Sequence, residues 1–214
     1  LTVYDFVNDK EGTWWMTDPD KSFLYRRKPQ GSIEMVSVLN AQGKKMELEV
    51  EALYVNNQDQ LCLISHQGFF VVNPHTLKVL KHYVLKDASY SANYLCSYTA
   101  TSNGEVWLGT LGKGVNVLRR DGTYVNYSVN NGFPAKMVFG ILEDVATKNI
   151  WLSTSDGLFC FNWKSSKFEK ARFYQENNIG SFYIHAAYKT SRGEMLFGGT
   201  NGFLFFDPAY LNKN

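Results

Sequence analysis

Long apolar runs are missing from this sequence, and none approaches the ~20 residues that a membrane-spanning helix needs. The N-terminus does not have the organisation of a signal peptide. Basic and acidic side chains nearly balance, at a net charge of +2, and no block of lysine and arginine stands out. We therefore expect this segment to contact neither a membrane nor nucleic acid.

Cysteine and histidine are also scarce, at three and four residues. Cys62, Cys96 and Cys160 each lie within an apolar strand pattern, and their spacing matches neither a metal site nor a disulfide framework. The histidines show no metal-ligand spacing either. We predict buried, unreactive thiols, no metal and no cofactor.

Catalytic motifs are equally absent: the sequence has no G-x-S-x-G elbow and no phosphate-binding glycine loop. Glu143 and Asp144 form an adjacent acidic pair, but they fall where a strand is predicted to end in a turn. That position favours a structural role over a paired general acid and base. We therefore predict no catalytic residue and no enzymatic activity for this segment.

What the chain does contain is a repeated strand unit, most clearly the sequence Gly-Glu-Val-Trp-Leu-Gly-Thr at 104–110. The unit returns at 149–154 and 193–199, and in weaker form at 12–17 and 60–65. A strand-rich repeat of ~40–50 residues is typical of propeller blades. The equivalent central positions lie 44 to 47 residues apart and are Trp15, Cys62, Trp107, Trp151 and Leu196.

Each repeat is predicted to form four short antiparallel strands, because aromatic and β-branched runs alternate with Gly, Asn, Asp and Ser turns. The predicted fold is therefore all-β, a single β-propeller region over 1–214. Its fifth repeat lacks a fourth strand and the sequence begins abruptly on a strand-like segment. Five repeats could close a small ring, but these features favour an arc of a larger, seven-bladed type of propeller. The repeats are approximately 1–46, 47–92, 93–136, 137–181 and 182–214.

The repeats resemble those of the two-component-regulator propeller family, the periplasmic sensor region of Bacteroidetes hybrid two-component systems. The stretches that carry the resemblance are 141–144, 150–154, 156–162, 106–110, 130–134, 195–203 and 206–208. The resemblance implies a sensor histidine kinase with a response regulator, periplasmic localisation of this segment, and sensing of a carbohydrate or oligosaccharide. It also implies homodimerisation through the parent protein, further propeller blades and a downstream immunoglobulin-like domain.

A ligand is expected on the face that carries the connections between repeats and the loops between second and third strands. Aromatic rings there can cover sugar C–H faces while amides and carboxylates bind hydroxyl groups. The alternatives are a structural or protein-interaction propeller without its own ligand and, third, a glycan-active propeller enzyme. The candidate ligand-binding residues are His66, Tyr90, Asn93, Tyr94, Lys113, Tyr174, Glu176, Asn177, Tyr183 and His185.

Overall fold

A computed structural model describes residues 3–18, 23–65, 67–84, 94–173 and 178–211. Within these residues the chain forms antiparallel β-sheets and a single helical turn, so the all-β prediction is confirmed. The chain divides into two compact units, Leu1–Leu95 and Cys96–Asn214. Each sheet falls within one of the five repeats, and its strands follow one another in chain order as an antiparallel meander.

The first unit contains two four-stranded sheets. Its apolar core lies between them and includes Trp15 and Leu24 from the first sheet and Leu63 and Phe70 from the second. The first sheet consists of β1 (Asp5–Asn8), β2 (Trp14–Thr17), β3 (Leu24–Arg27) and β4 (Ile33–Val36). The second sheet consists of β5 (Val50–Val55), β6 (Leu61–Ser65), β7 (Gly68–Val72) and β8 (Val79–Tyr83).

The second unit contains two four-stranded sheets and one three-stranded sheet. The first strand of its first sheet, β9, begins at Leu95, the residue at the boundary between the two units. The third sheet consists of β9 (Leu95–Ala100), β10 (Val106–Thr110), β11 (Val115–Leu118) and β12 (Tyr124–Tyr127). The fourth consists of β13 (Val138–Glu143), β14 (Ile150–Thr154), β15 (Gly157–Asn162) and β16 (Lys167–Lys170). The fifth consists of β17 (Phe182–Lys189), β18 (Met195–Gly199) and β19 (Gly202–Phe206), and a helical turn, α1 (Pro208–Leu211), follows it.

The tryptophan at the centre of the repeated unit packs between neighbouring sheets. Trp107 lies 5.1 Å from the Phe161 ring of the fourth sheet, and Trp151 lies 4.9 Å from the Phe206 ring of the fifth, centroid to centroid. A large flat side chain suits this role because it buries much apolar area and makes favourable tilted ring contacts. Leu196 is different: it is only half-buried, while its neighbours Met195 and Phe197 carry the packing against the fourth sheet.

The threonine or serine that ends the second strand closes the following hairpin. Ser65, Thr110 and Thr154 are buried, and each hydroxyl donates to a glycine carbonyl oxygen three or four residues later, at 2.7–3.2 Å. Each hydroxyl also accepts a backbone N–H from the hairpin loop. In the second, third and fourth sheets the last residue of the second strand is therefore a turn-forming residue.

A second repeated device lies at the turn that follows the first strand. In each sheet the residue that begins this turn has a side-chain oxygen, and that oxygen accepts a backbone N–H from within the turn. Only Asp, Asn and Thr fill this position, since they combine a short side chain with an acceptor oxygen. The five residues are Asp9, Asn56, Thr101, Asp144 and Thr190.

The acidic pair predicted to be structural has structural partners. The Glu143 carboxylate is buried and accepts hydrogen bonds from the Ser102 backbone N–H at 2.8 Å and its hydroxyl at 2.6 Å. Asp144 accepts the Ala146 N–H in its turn. Each carboxylate is therefore held by partners that maintain the sheets and turns.

The three cysteines, all within the described residues, form no disulfide. Cys62 and Cys96 are buried, and Cys160 is half-buried. Burial raises the pKa of the Cys62 thiol to about 12 and that of the Cys160 thiol to about 12. Because the thiolate is the reactive form, both side chains are poor nucleophiles at neutral pH.

Candidate functional site

Four of the ten candidate ligand-binding residues lie within the described part of the chain, and they are divided between the two units. Tyr94 belongs to the first unit and immediately precedes β9, where its side chain is half-buried. Lys113, Tyr183 and His185 belong to the second unit. The other six candidates lie outside the described residues: His66, Tyr90, Asn93, Tyr174, Glu176 and Asn177.

Lys113 lies in the hairpin between β10 and β11. Its backbone N–H donates to Thr110 Oγ1 at 2.8 Å, and its carbonyl oxygen accepts the Asn126 side-chain amide at 2.9 Å. The backbone of this residue is therefore fixed on both sides, while its side chain remains half-buried. Lys113 therefore lies on a fixed backbone at one end of the third sheet.

Tyr183 and His185 come together in a large bulge of β17, the first strand of the fifth sheet. Phe182 pairs with Gly199 of β18, and the next regular pair is Ala187 with Phe197. Four residues of β17, 183–186, therefore lie opposite a single residue of β18 and three of them are extra. A bulge of this kind bends the strand and redirects its side chains.

The corresponding strands of two other repeats show that the bulge is enlarged here. In the fourth sheet one residue interrupts the pairing between Val138 and Gly140, and in the second sheet one residue interrupts it between Val50 and Ala52. A one-residue bulge in the first strand is therefore shared by these repeats. The three-residue form belongs to the fifth sheet.

The backbone of His185 adopts φ of +60° within this bulge. Left-handed backbone is uncommon for residues other than glycine, and such positions cluster at functional sites. The side chains at 183–185 are exposed, with 57% of Tyr183 and 39% of Ile184 accessible. The bulge thus presents a phenol ring, an aliphatic side chain and an imidazole on consecutive residues.

The segment that leads into the bulge is attached to the hairpin between β18 and β19. Thr200 N–H donates to the Ser181 carbonyl oxygen at 2.9 Å, and Asn201 N–H donates to the Ile179 carbonyl oxygen at 3.0 Å. Gly199 permits this close approach, because a Cβ atom there would lie 2.5 Å from Ile179 Cγ2. The bulge is therefore held by backbone contacts on a regular sheet.

These exposed side chains can bind a polar ligand that also has apolar faces. A tyrosine ring can lie against C–H groups, and its hydroxyl and the imidazole nitrogens can hydrogen-bond to hydroxyl groups. Among the described residues, no group of three or more His, Cys, Asp or Glu could hold a metal ion. No described helix is long and apolar enough to cross a membrane.

A depression that was not predicted from the sequence lies at the opposite end of the third sheet from Lys113. It has a volume of about 340 Å³ and contains both arginines and carboxylates. The opposite charges compensate one another, so the depression does not select a ligand of one charge. Its lining residues are Asn103, Glu105, Arg119, Arg120 and Asp121.

No protein-family model matches the chain, and no curated protein matches its sequence. Solved structures with the same fold are nevertheless numerous. The extracellular domain of the hybrid two-component system BT4673 from B. thetaiotaomicron aligns with a TM-score of 0.75 at 19% identity. A second structure of that domain, there named a one-component system, gives a TM-score of 0.76 at 18% identity.

Virginiamycin B lyase from Staphylococcus aureus also shares the fold, with a TM-score of 0.71 at 14% identity. The alignments cover 97% of this chain with the BT4673 domain and 96% with the lyase. The chain spans 30% of the length of the BT4673 domain and 69% of the lyase. The predicted β-propeller fold is confirmed, and extracellular domains of the kind that the sequence resembles are among its structural neighbours.

Proposed function

We propose that this chain is part of the extracytoplasmic sensor region of a hybrid two-component system and that it binds an oligosaccharide. The sensor role is supported by the repeated motifs together with the fold shared with extracellular domains of such systems. Periplasmic localisation and a histidine kinase in the parent protein belong to the same proposal. In it, the segment itself is a binding module and performs no chemistry.

The enlarged bulge of β17 is the observation that carries the ligand-binding part of the proposal. Side chains at the repeated positions pack between sheets, as Trp151 does, or form turns, as Thr154 does. Tyr183 and His185 depart from the repeat, are exposed, and lie in a bulge between two residues, Phe182 and Ala187, that pair with β18. An exposed aromatic residue on a rigid element can bind a sugar with little loss of conformational entropy.

Signalling requires that the ligand bind one arrangement of the sensor more tightly than another. A free-energy difference of about 1.4 kcal/mol changes the ratio of two arrangements tenfold. In the proposed mechanism this difference arises in a homodimer of the parent protein, in which ligand binding favours one arrangement of the paired sensor regions.

Calorimetric titration tests the proposal. The purified chain is titrated with oligosaccharides of neutral pentoses, neutral hexoses and uronic acids. We expect one class to bind, and we expect Tyr183→Ala to weaken that binding roughly tenfold or more because it removes the exposed ring. Tyr210→Ala is the matched control, since Tyr210 is 69% exposed and lies on α1.

Two results would contradict the proposal. If a correctly folded chain and the whole protein bind no oligosaccharide of any class, carbohydrate sensing is wrong. If an oligosaccharide binds but Tyr183→Ala and Tyr210→Ala have equal effects, the ligand lies away from the bulge.

A propeller that only mediates protein contacts is the second candidate, and a specific observation favours it. Several large apolar side chains of the first and fifth sheets are exposed, among them Phe6, Met35, Phe203 and Phe205. Exposed apolar patches commonly mark protein-protein contacts. Absence of oligosaccharide binding together with a partner captured on these surfaces would favour this second function.

A further inference from the structure

Two turns of the third sheet lie side by side at the end of the sheet away from Lys113. Val106 of β10 pairs with Leu118 of β11, so the residue before Val106 and the residue after Leu118 leave the sheet at the same end. The turn at residues 101–105 connects β9 to β10, and the turn at residues 119–123 connects β11 to β12. Each turn contains two backbone hydrogen bonds of 2.8–2.9 Å. The depression of about 340 Å³ lies between the turns, because all of its lining residues belong to them.

The fifth sheet contains the same kind of turn and shows how its glutamate is used there. Residues 190–194 have the sequence Thr-Ser-Arg-Gly-Glu, and residues 101–105 have the sequence Thr-Ser-Asn-Gly-Glu. The Glu194 carboxylate accepts the Thr190 hydroxyl at 2.9 Å and forms an ion pair with Arg192 at 3.1 Å. The glutamate of the fifth sheet therefore has its partners within its own turn.

Glu105, at the equivalent position of the third sheet, lacks these partners among the described residues. The Thr101 hydroxyl donates to the Asn103 side-chain oxygen, and Asn103 stands where the fifth sheet has Arg192. Glu105 is half-buried, and within the described part of the chain its carboxylate accepts no hydrogen bond and forms no ion pair. The depression therefore contains a carboxylate whose oxygens can accept hydrogen bonds from a ligand.

Arg120 supplies a cationic group from the turn at 119–123. A Cβ atom at Gly104 would lie 2.5 Å from Arg120 Nε and 3.2 Å from its Cζ, so the guanidinium group lies against the backbone of the turn at 101–105. Gly104 has φ of +82°, which favours glycine and leaves this space to the guanidinium group. Among the described residues the Arg120 side chain has no hydrogen-bond or ion-pair partner. Its N–H groups can therefore bind a carboxylate through two parallel hydrogen bonds.

The other two charged side chains of the depression already have partners. The Asp121 carboxylate accepts the Thr123 hydroxyl at 2.6 Å and the Thr123 backbone N–H at 2.9 Å. These hydrogen bonds hold the pKa of Asp121 below its ordinary value, the hydroxyl contributing most, and the charge of Arg119 contributes less. Asp121 and Arg119 compensate one another, and Glu105 and Arg120 remain as the two groups that a ligand can pair with.

We propose that the depression binds an α-amino acid, with the ligand carboxylate on Arg120 and the ligand ammonium group on Glu105. An α-amino acid carries both charged groups on one carbon atom, so a single molecule can pair with both side chains. A ligand with one charge would leave one of the two side chains without a partner, which lowers affinity. The volume equals that of roughly eleven water molecules at ~30 Å³ each, which accommodates a small amino acid. The inference does not depend on the proposed oligosaccharide site, which lies on the fifth sheet.

Nuclear magnetic resonance titration of the isotope-labelled chain tests the proposal, because it detects weak binding residue by residue. Small, apolar, aromatic, acidic and basic amino acids are added in turn at constant ionic strength, and the backbone amide signals of Gly104 and Gly122 are followed. We expect at least one amino acid to shift both signals to saturation. The amide of that amino acid lacks the carboxylate and its N-acetyl derivative lacks the ammonium group, and each should bind roughly tenfold or more weakly.

Matched variants identify the groups that bind. Glu105→Gln keeps the shape of the side chain and removes its charge, so it should weaken binding roughly tenfold or more. Glu194→Gln, at the equivalent position of the fifth sheet, should leave the affinity unchanged. The proposal is overturned if no amino acid shifts the two glycine signals, or if the amino acid binds no more tightly than its amide and N-acetyl derivatives. Equal effects of Glu105→Gln and Glu194→Gln would also overturn it.

Discussion

Thr154 offers a direct test of the role assigned to the hydroxyl residue that ends the second strand of the second, third and fourth sheets. Its side chain is 2% exposed. The hydroxyl donates to the Gly157 carbonyl oxygen at 2.7 Å and accepts the Asp156 N–H at 3.0 Å. Thr154→Val keeps the shape of the side chain and removes both hydrogen bonds, so any loss of stability reports on the hydroxyl.

The expected loss follows from the number of bonds and their burial. A buried hydrogen bond contributes about 1 kcal/mol to stability, and loss of two therefore predicts a decrease of about 2 kcal/mol in the free energy of unfolding. Thr154→Ser keeps the hydroxyl and removes one buried methyl group, which predicts a decrease of about 1 kcal/mol or less. Serine is already used at this position in the second repeat, as Ser65.

Urea unfolding measures the difference. We expect the midpoint to fall further for Thr154→Val than for Thr154→Ser, with the dependence on urea unchanged. Hydrogen exchange should show faster exchange of the Asp156 amide in the valine variant, because that amide loses its acceptor. If the valine variant is as stable as the serine variant, the hydroxyl does not stabilise the hairpin and the reasoning is wrong.

Three further outcomes are expected. Gly114→Ala should destabilise the chain by ~1–3 kcal/mol more than Gly43→Ala in urea unfolding. Both glycines have positive φ, but of the two only Gly114 would place a Cβ atom 2.2 Å from a backbone oxygen. Equal losses of stability would contradict this. Trp15→Phe should cost ~1–3 kcal/mol more than Trp107→Phe in the same assay, because the Trp15 indole N–H donates to buried Asp9 at 2.9 Å and the Trp107 N–H has no hydrogen-bond partner among the described residues. The Cys62 and Cys160 thiols should react slowly with iodoacetamide at pH 8 in the folded chain and rapidly in urea, and rapid labelling of the folded chain would contradict their raised pKa. The free energy of unfolding should fall as pH rises from about 9 to about 12, because in that window these two thiols release protons in the unfolded chain but not in the folded one.

The repeating part of the fold could be predicted from the sequence because each blade solves the same packing problem with the same residue types. The period places Trp15, rather than its neighbour Trp14, at the central position of the first unit, and in the structure Trp15 is the buried member of the pair. The sequence also predicted a fifth repeat without a fourth strand, and the described residues of that repeat form three strands.

What could not be predicted depends on pairing and on neighbours. Leu196 occupies the position of the central tryptophan, but it does not take over the packing role of that residue. In the structure it is half-buried, while Met195 and Phe197 pack against the fourth sheet. The extra residues of β17 were equally invisible, because their number follows from the register with β18 rather than from residue type.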